Sequence, residues 1–117
     1  MPQFAILRHD SPRGVHWDFF LEVGDALRTW SLPSPPAVGE SMICESLGEH
    51  RLEYLDYQGP ISGDRGHVIR WDRGSYQWLR DVADDVQVRL EGDWLRGKAT
   101  LTRLPGSAQQ WRFSFEE

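Results

Sequence analysis

The sequence predicts an all-β protein, a small closed or nearly closed antiparallel β-barrel of about seven or eight strands with little helix. Three observations carry this expectation. Apolar and polar residues alternate with a period of two along several stretches, the signature of strands with one buried face. Six Trp, five Phe and three Tyr favour pleated, half-buried surfaces, and eleven Gly with seven Pro supply turn punctuation. No apolar stripe of helical period runs for a convincing length.

The elements follow in order. A first strand ends at His9, and residues 10–14 read as its hairpin loop. From 15 to 23, Val15, Trp17, Phe19, Leu21 and Val23 form one face, with His16, Asp18, Phe20 and Glu22 on the other. Gly24-Asp25 then reads as a tight turn into a strand from Ala26 to Leu32. Residues 33–41, with three Pro and a Gly, cannot form a central strand and read as a surface loop. A strand at 67–71 is expected to turn at Asp72-Arg73-Gly74 into Ser75–Leu79, with a short helical turn near 79–84. Val86, Val88 and Leu90 alternate with polar residues, and Gly92-Asp93 leads into a strand within 94–104. Trp111, Phe113 and Phe115 alternate in the last strand.

Composition bounds the function. A chain of 117 residues holds one core, so a single domain spanning 1–117 is expected. Thirteen Lys and Arg against eighteen Asp and Glu give a net charge of −5, which argues against a protein that coats nucleic acid. A compact site gripping one or two phosphates is compatible with it, since local charge can oppose the global sign. The single cysteine, Cys44, has no partner for an intramolecular disulfide and reads as a small buried residue. The longest apolar run, Phe4–Leu7, is far shorter than a membrane span or a signal segment, so no membrane partner and a cytoplasmic location are expected.

Two constellations could carry chemistry. His16 and Asp18 share a strand face about 7 Å apart, because side chains repeat every second residue, and His9 can approach them across the hairpin. Two imidazoles and a carboxylate leave coordination positions open, as in a catalytic divalent site. The alternative is a set of solvent-facing polar residues on an edge strand. In an extended segment His50, Leu52 and Tyr54 would share a face, making His50 and Tyr54 candidates for proton donation or phosphate contact. The alternative there is a His and a Tyr satisfied by backbone groups in a loop. His67, beside apolar Ile69 and Trp71, reads as structural.

Arg8-His9-Asp10, His16-Trp17-Asp18-Phe19, Leu21-Glu22 and Leu27-Arg28-Thr29-Trp30-Ser31-Leu32-Pro33 resemble the opening of the 3′-phosphoesterase domain of prokaryotic DNA ligase D. His50-Arg51-Leu52-Glu53-Tyr54, Tyr57-Gln58-Gly59-Pro60-Ile61 and Val68-Ile69-Arg70-Trp71-Asp72-Arg73-Gly74 continue the resemblance in the same order, as do Glu91-Gly92, Leu95-Arg96-Gly97 and Trp111. The resemblance implies a compact barrel that removes a 3′-terminal ribonucleoside and then the 3′-phosphate. It implies a divalent metal, commonly manganese, on His9, His16 and Asp18; zinc or another transition metal would also suit these donors. His50 and Tyr54 would be the catalytic His and Tyr. The partner would be the 3′ end of a DNA or RNA primer-template, and a stand-alone member would act in trans beside a separate ligase or polymerase.

The departures from the family pattern are specific. An Arg usually found two residues after the metal-binding Asp is Phe20, Pro-Lys-Gly-Pro becomes Pro33-Ser34-Pro35-Pro36, and a basic residue upstream of the later His is replaced around Met42. The His9–His16 loop is one residue longer and gains Arg13. Arg8, Arg13, Arg51 and Arg65 are the candidate substitutes for phosphate binding, with at least two expected to face the cluster. Phe20→Arg is expected to raise the rate. A catalytically degraded barrel that binds nucleic-acid ends or a protein is the competing expectation, and a phosphoesterase turned to a small phosphorylated metabolite is a third.

Overall fold

The computed structural model describes all 117 residues. Nine antiparallel strands make one sheet: β1 (Gln3–Ser11), β2 (Gly14–Val23), β3 (Ala26–Leu32), β4 (Ser41–Arg51), β5 (Gly59–Pro60), β6 (His67–Val82), β7 (Asp85–Gly92), β8 (Arg96–Arg103) and β9 (Gln110–Glu116). Neighbours run β1-β2-β3-β4-β9-β8-β7-β6, and a β1–β6 pairing closes these eight into a ring, with short β5 on the edge of β6. The expected all-β barrel is therefore the fold. One 3₁₀ turn, Leu52–Leu55, follows β4.

The alternation in the sequence sorts side chains between the two surfaces of this ring. Phe4, Ile6, Phe19, Leu21, Trp30, Leu32, Val88, Leu101 and Phe113 meet inside it. The residues between them on β1 and β2 are also buried, because the chain after β4 folds back over the outside. Ala5, Leu7, Phe20 and Leu27 pack there with Leu55 and Val68 in a second, smaller core. No helix is long and apolar enough to cross a membrane.

Two expected turns are strand instead. Asp72-Arg73-Gly74 lies inside β6, which pairs with β1 over its first half and with β7 over its second. The register shifts between Ile6 and Leu7, leaving Trp71 as an extra residue that bends the strand there. Asp72 is buried inward, and its carboxylate accepts the backbone N–H groups of Arg73, Asp93, Trp94 and Leu95 at 2.8–3.2 Å. A residue that reads as turn chemistry thus pins the β7–β8 turn from within a neighbouring strand. Gly74 permits the crossing, since a Cβ there would lie 2.0 Å from the Glu91 carbonyl. The helical turn near 79–84 is likewise absent: β6 runs to Val82 and a two-residue turn returns the chain as β7. The loop at 33–41 and the Gly24-Asp25 turn fall where expected, while the β1–β2 turn is shorter, with Ser11 already paired to Gly14.

Asp72→Ala leaves four backbone donors, one buried and three partly buried, without their acceptor and is expected to cost about 2–4 kcal/mol in urea unfolding. Burial pushes the Cys44 thiol up to about 12. It therefore stays protonated at neutral pH, and alkylation should be far slower in the native protein than in urea.

Candidate metal centre

The β1–β2 register builds the first cluster. His9 stands directly opposite His16 and Leu7 opposite Asp18, so all three polar side chains project from the outer surface of the ring. Cross-strand partners and their i+2 neighbours lie within side-chain reach. His9 Nδ1 is 3.1 Å from His16 Nε2 and 3.6 Å from Asp18 Oδ2, and His16 Nε2 is 3.0 Å from Asp18 Oδ1. One ligand atom from each residue lies within 4.8 Å of the others.

The protonation pattern follows from the neighbours. His9 Nε2–H donates to the Arg65 carbonyl at 2.7 Å, which leaves Nδ1 as a bare lone pair turned toward His16. His16 Nε2 then lies between two acceptors with one hydrogen to give. Asp18 is 5% exposed, and its Oδ1 has no hydrogen-bond partner although it lies close to His16. The Asp18 carboxylate holds the pKa of His16 above its ordinary value, with burial opposing it. Three lone-pair donors thus converge around a proton, and one buried carboxylate oxygen lacks a partner. This donor set fits a divalent first-row metal ion, and the Arg65 carbonyl is the type of outer contact that orients a ligating imidazole.

The close approach of residue 65 requires glycine at 66. Gly66 has φ +88°, and a Cβ there would lie 1.8 Å from the Asp10 carbonyl oxygen. The chain at residues 65 and 66 consequently lies tight against the end of β1.

A cavity of about 510 Å³ opens beside the cluster. Leu7, Phe20, Leu47, Ile61 and Val68 form its apolar wall, and His50, Tyr54, Arg51 and Arg65 line it as well. His50 arrives by a bulge that strand parity does not foresee. Thr29 pairs with Leu47 and Leu27 with His50, so β4 spends an extra residue around Gly48-Glu49 and presents both 47 and 50 to the cavity. His50 Nδ1–H donates to the Gly48 carbonyl at 3.0 Å, leaving Nε2 without a protein partner. The 3₁₀ turn, rather than an extended segment, then places Tyr54 with its ring centroid 6.2 Å from that of His50.

The arginines divide. Arg51 and Arg65 line the cavity, and Arg13 lines an adjoining hollow. Arg8 lies outside both and pairs with Asp10 at 3.3 Å, beside exposed His67, whose Nε2 is 3.3 Å from the same carboxylate. Sequence reasoning did not mark Glu49, Ile61 or Ser62, which also line the cavity. The closely spaced glycines Gly59, Gly63 and Gly66 were the available signal for a tightly folded wall. Phe20 is 1% exposed, packs in the outer core and lies 5.4 Å from the His50 ring. An arginine there replaces core packing with a charge, so the expected gain from Phe20→Arg carries a stability cost that sequence alone does not reveal.

Residues 7–103 match the model of the DNA ligase D 3′-phosphoesterase domain. The chain belongs to that family. It is similar to the multifunctional non-homologous end joining protein LigD of Pseudomonas aeruginosa, 31% identical over 93% of this chain. It is also similar to the multifunctional non-homologous end joining DNA repair protein LigD of Mycobacterium tuberculosis, 33% identical over 88% of this chain. The matched region is only 14% and 15% of those relatives' lengths. Family membership supports a phosphoesterase-like role.

Gly66→Ala should push the Arg65 carbonyl away from His9 and lower manganese affinity about 10–100-fold in calorimetric titration. Unchanged affinity would mean that the Arg65 contact does not orient the ligand.

Proposed function

We propose that this chain is a metal-dependent phosphoesterase that heals 3′ ends of DNA or RNA, removing a terminal ribonucleoside and the remaining 3′-phosphate. The observation that carries this reading is the opening of the His9, His16 and Asp18 donors into the cavity lined by His50 and Tyr54. His9, His16 and Asp18 would hold the ion, with manganese the expected occupant. Bound there, a divalent ion supplies Lewis acidity to a phosphate oxygen.

The remaining work falls to the chain's own groups. His9 is held in one tautomer by the Arg65 carbonyl and cannot swing away from the cluster without losing that bond. His50, fixed through Nδ1, keeps Nε2 for the substrate: charged, it can donate to a phosphate oxygen or protonate the leaving oxygen. Tyr54 can orient His50 or the phosphate from the adjoining wall. Arg51 and Arg65 offset substrate charge, although Arg51 pairs with Glu53 at 3.4 Å and Arg65 bonds to Ser62. A ligase or polymerase would use the resulting 3′-OH.

Phe20 favours a second reading, a binding module for nucleic-acid ends without catalysis, because an apolar ring occupies the place of a phosphate-gripping arginine. A gel assay on a primer-template with one 3′ ribonucleotide separates the two. Manganese-stimulated cleavage is expected, abolished by chelation, by His9→Ala and by Asp18→Ala, and lowered at least about a hundredfold by His50→Ala. A wild-type protein that binds manganese and cleaves nothing leaves the binding module standing.

A further inference from the structure

Against the 3₁₀ turn lies a smaller hollow of about 270 Å³, lined by Glu53, Tyr54, Tyr57, Pro60, Ile61 and Ser62. Tyr54, Ile61 and Ser62 also line the cavity beside the cluster, so the two spaces share a wall, but His9, His16, Asp18 and His50 take no part in the hollow. Its chemistry suits neither a phosphate nor a divalent ion. Glu53 is the one charged residue on its walls, and no Arg, Lys or His lines it. A single carboxylate supplies too few oxygens to hold a divalent ion and repels an anion. Two aromatic rings accompany that carboxylate. The centroids of Tyr54 and Tyr57 are 5.7 Å apart and their planes stand at 84°, so they make two walls nearly at right angles. The Tyr57 hydroxyl donates to the Pro60 carbonyl, which leaves the ring rather than the hydroxyl to meet a ligand. Glu53 is engaged only by Arg51, Nη1 at 3.4 Å, with the two side chains 67% and 83% exposed. Such a pair is weak and exchangeable, and it shows that a guanidinium reaches this carboxylate.

Aromatic rings beside a carboxylate are the recognition chemistry of organic cations. The negative ring faces attract the charge, and the carboxylate gives it a hydrogen-bonding direction. The geometry points to a binding site in this hollow for an ammonium or guanidinium group, carried by a free polyamine or by a Lys or Arg side chain of a protein partner. The volume is below the usual range for drug-sized ligands and suits a head group on a short alkyl stem. The chain's net charge of −5 draws such cations toward its surface. The site does not rest on the phosphoesterase reading, since it uses no group of the metal-type cluster. An occupant packs against Tyr54, whose ring also lies 6.2 Å from that of His50, so filling the hollow is felt in the neighbouring cavity.

The test titrates the isotope-labelled full chain with three probes, followed by nuclear magnetic resonance at fixed salt. The probes are spermidine, a blocked glycine-arginine-glycine peptide, and the same peptide with neutral citrulline in place of arginine. Backbone resonances of residues 53–62 should shift with at least one cationic probe, with a dissociation constant of about 1 mM, and stay unmoved with citrulline. The tighter of the two cationic probes identifies the source of the cation. Glu53→Gln should weaken binding about tenfold and Tyr57→Leu about fivefold, whereas Tyr57→Phe keeps the ring and should stay within about twofold of the wild type. Glu53 is largely exposed, so Glu53→Gln leaves the packing intact and decides the matter if Tyr57→Leu fails to fold. Citrulline binding as tightly as arginine, or unchanged affinity in Glu53→Gln or in a folded Tyr57→Leu, overturns the site. So does a Tyr57→Phe protein as weak as Tyr57→Leu, or the absence of shifts up to about 10 mM of either cation.

Discussion

Burial of both surfaces of β1 and β2 is the constraint on which the rest depends. Phe4, Ala5, Ile6 and Leu7 are consecutive and all buried, a pattern a one-sided strand cannot show. Phe4 and Ile6 fill the ring, and Ala5 and Leu7 anchor the chain that returns over its outside. Two hydrophobic cores therefore share one pair of strands, and the metal-type donors sit at the margin of the outer one. This explains how a carboxylate can be buried outside a barrel: Asp18 follows the outer parity of Phe20 and lies beneath the returning segment. With so small a chain, covering the outer surface adds apolar burial that one ring interior would not supply.

Much of this was legible in the residues. The alternation along 15–23 placed His16, Asp18 and Phe20 on one face, whereas the His9–His16 register depends on a turn shorter than the 10–14 loop that was expected. The Gly24-Asp25 turn, the 33–41 loop and the last strand needed only turn chemistry and period-two patterning. What stayed hidden depends on partners remote in sequence. Asp72 looks like a turn residue because its four backbone donors include three from around residue 94. His50 reaches the cavity through a bulge set by pairing with β3, and nothing local reveals it. Burial of Phe20 likewise depends on Leu55 and Val68, supplied by segments far along the chain.

The chemistry of the site is balanced rather than strongly basic. Each cavity arginine is already engaged, one with Glu53 and one with Ser62, and Glu49 shares the same wall. Such pairs at the surface are weak and exchange readily for a phosphate, which offers a better acceptor geometry. The cluster itself is more rigid, since strand pairing, the Arg65 carbonyl and the Gly66 approach all converge on His9. Orientation is therefore invested in the donors, and charge compensation is left to side chains that can move.

The strand order divides the chain into two four-stranded meanders, β1 to β4 and β6 to β9, each joined by local turns. They meet along two seams, where Gln3 pairs with Ser75 and Cys44 with Trp111, so the loop-closure entropy of folding is concentrated in those two events. The segment linking the meanders is the one that roofs the cavity. His9, His16, Asp18 and His50 come from the first half, Val68 from the second, and the Arg65 carbonyl from the link between them. Neither half alone contains the complete pocket, so cavity and cluster come together only as the ring shuts.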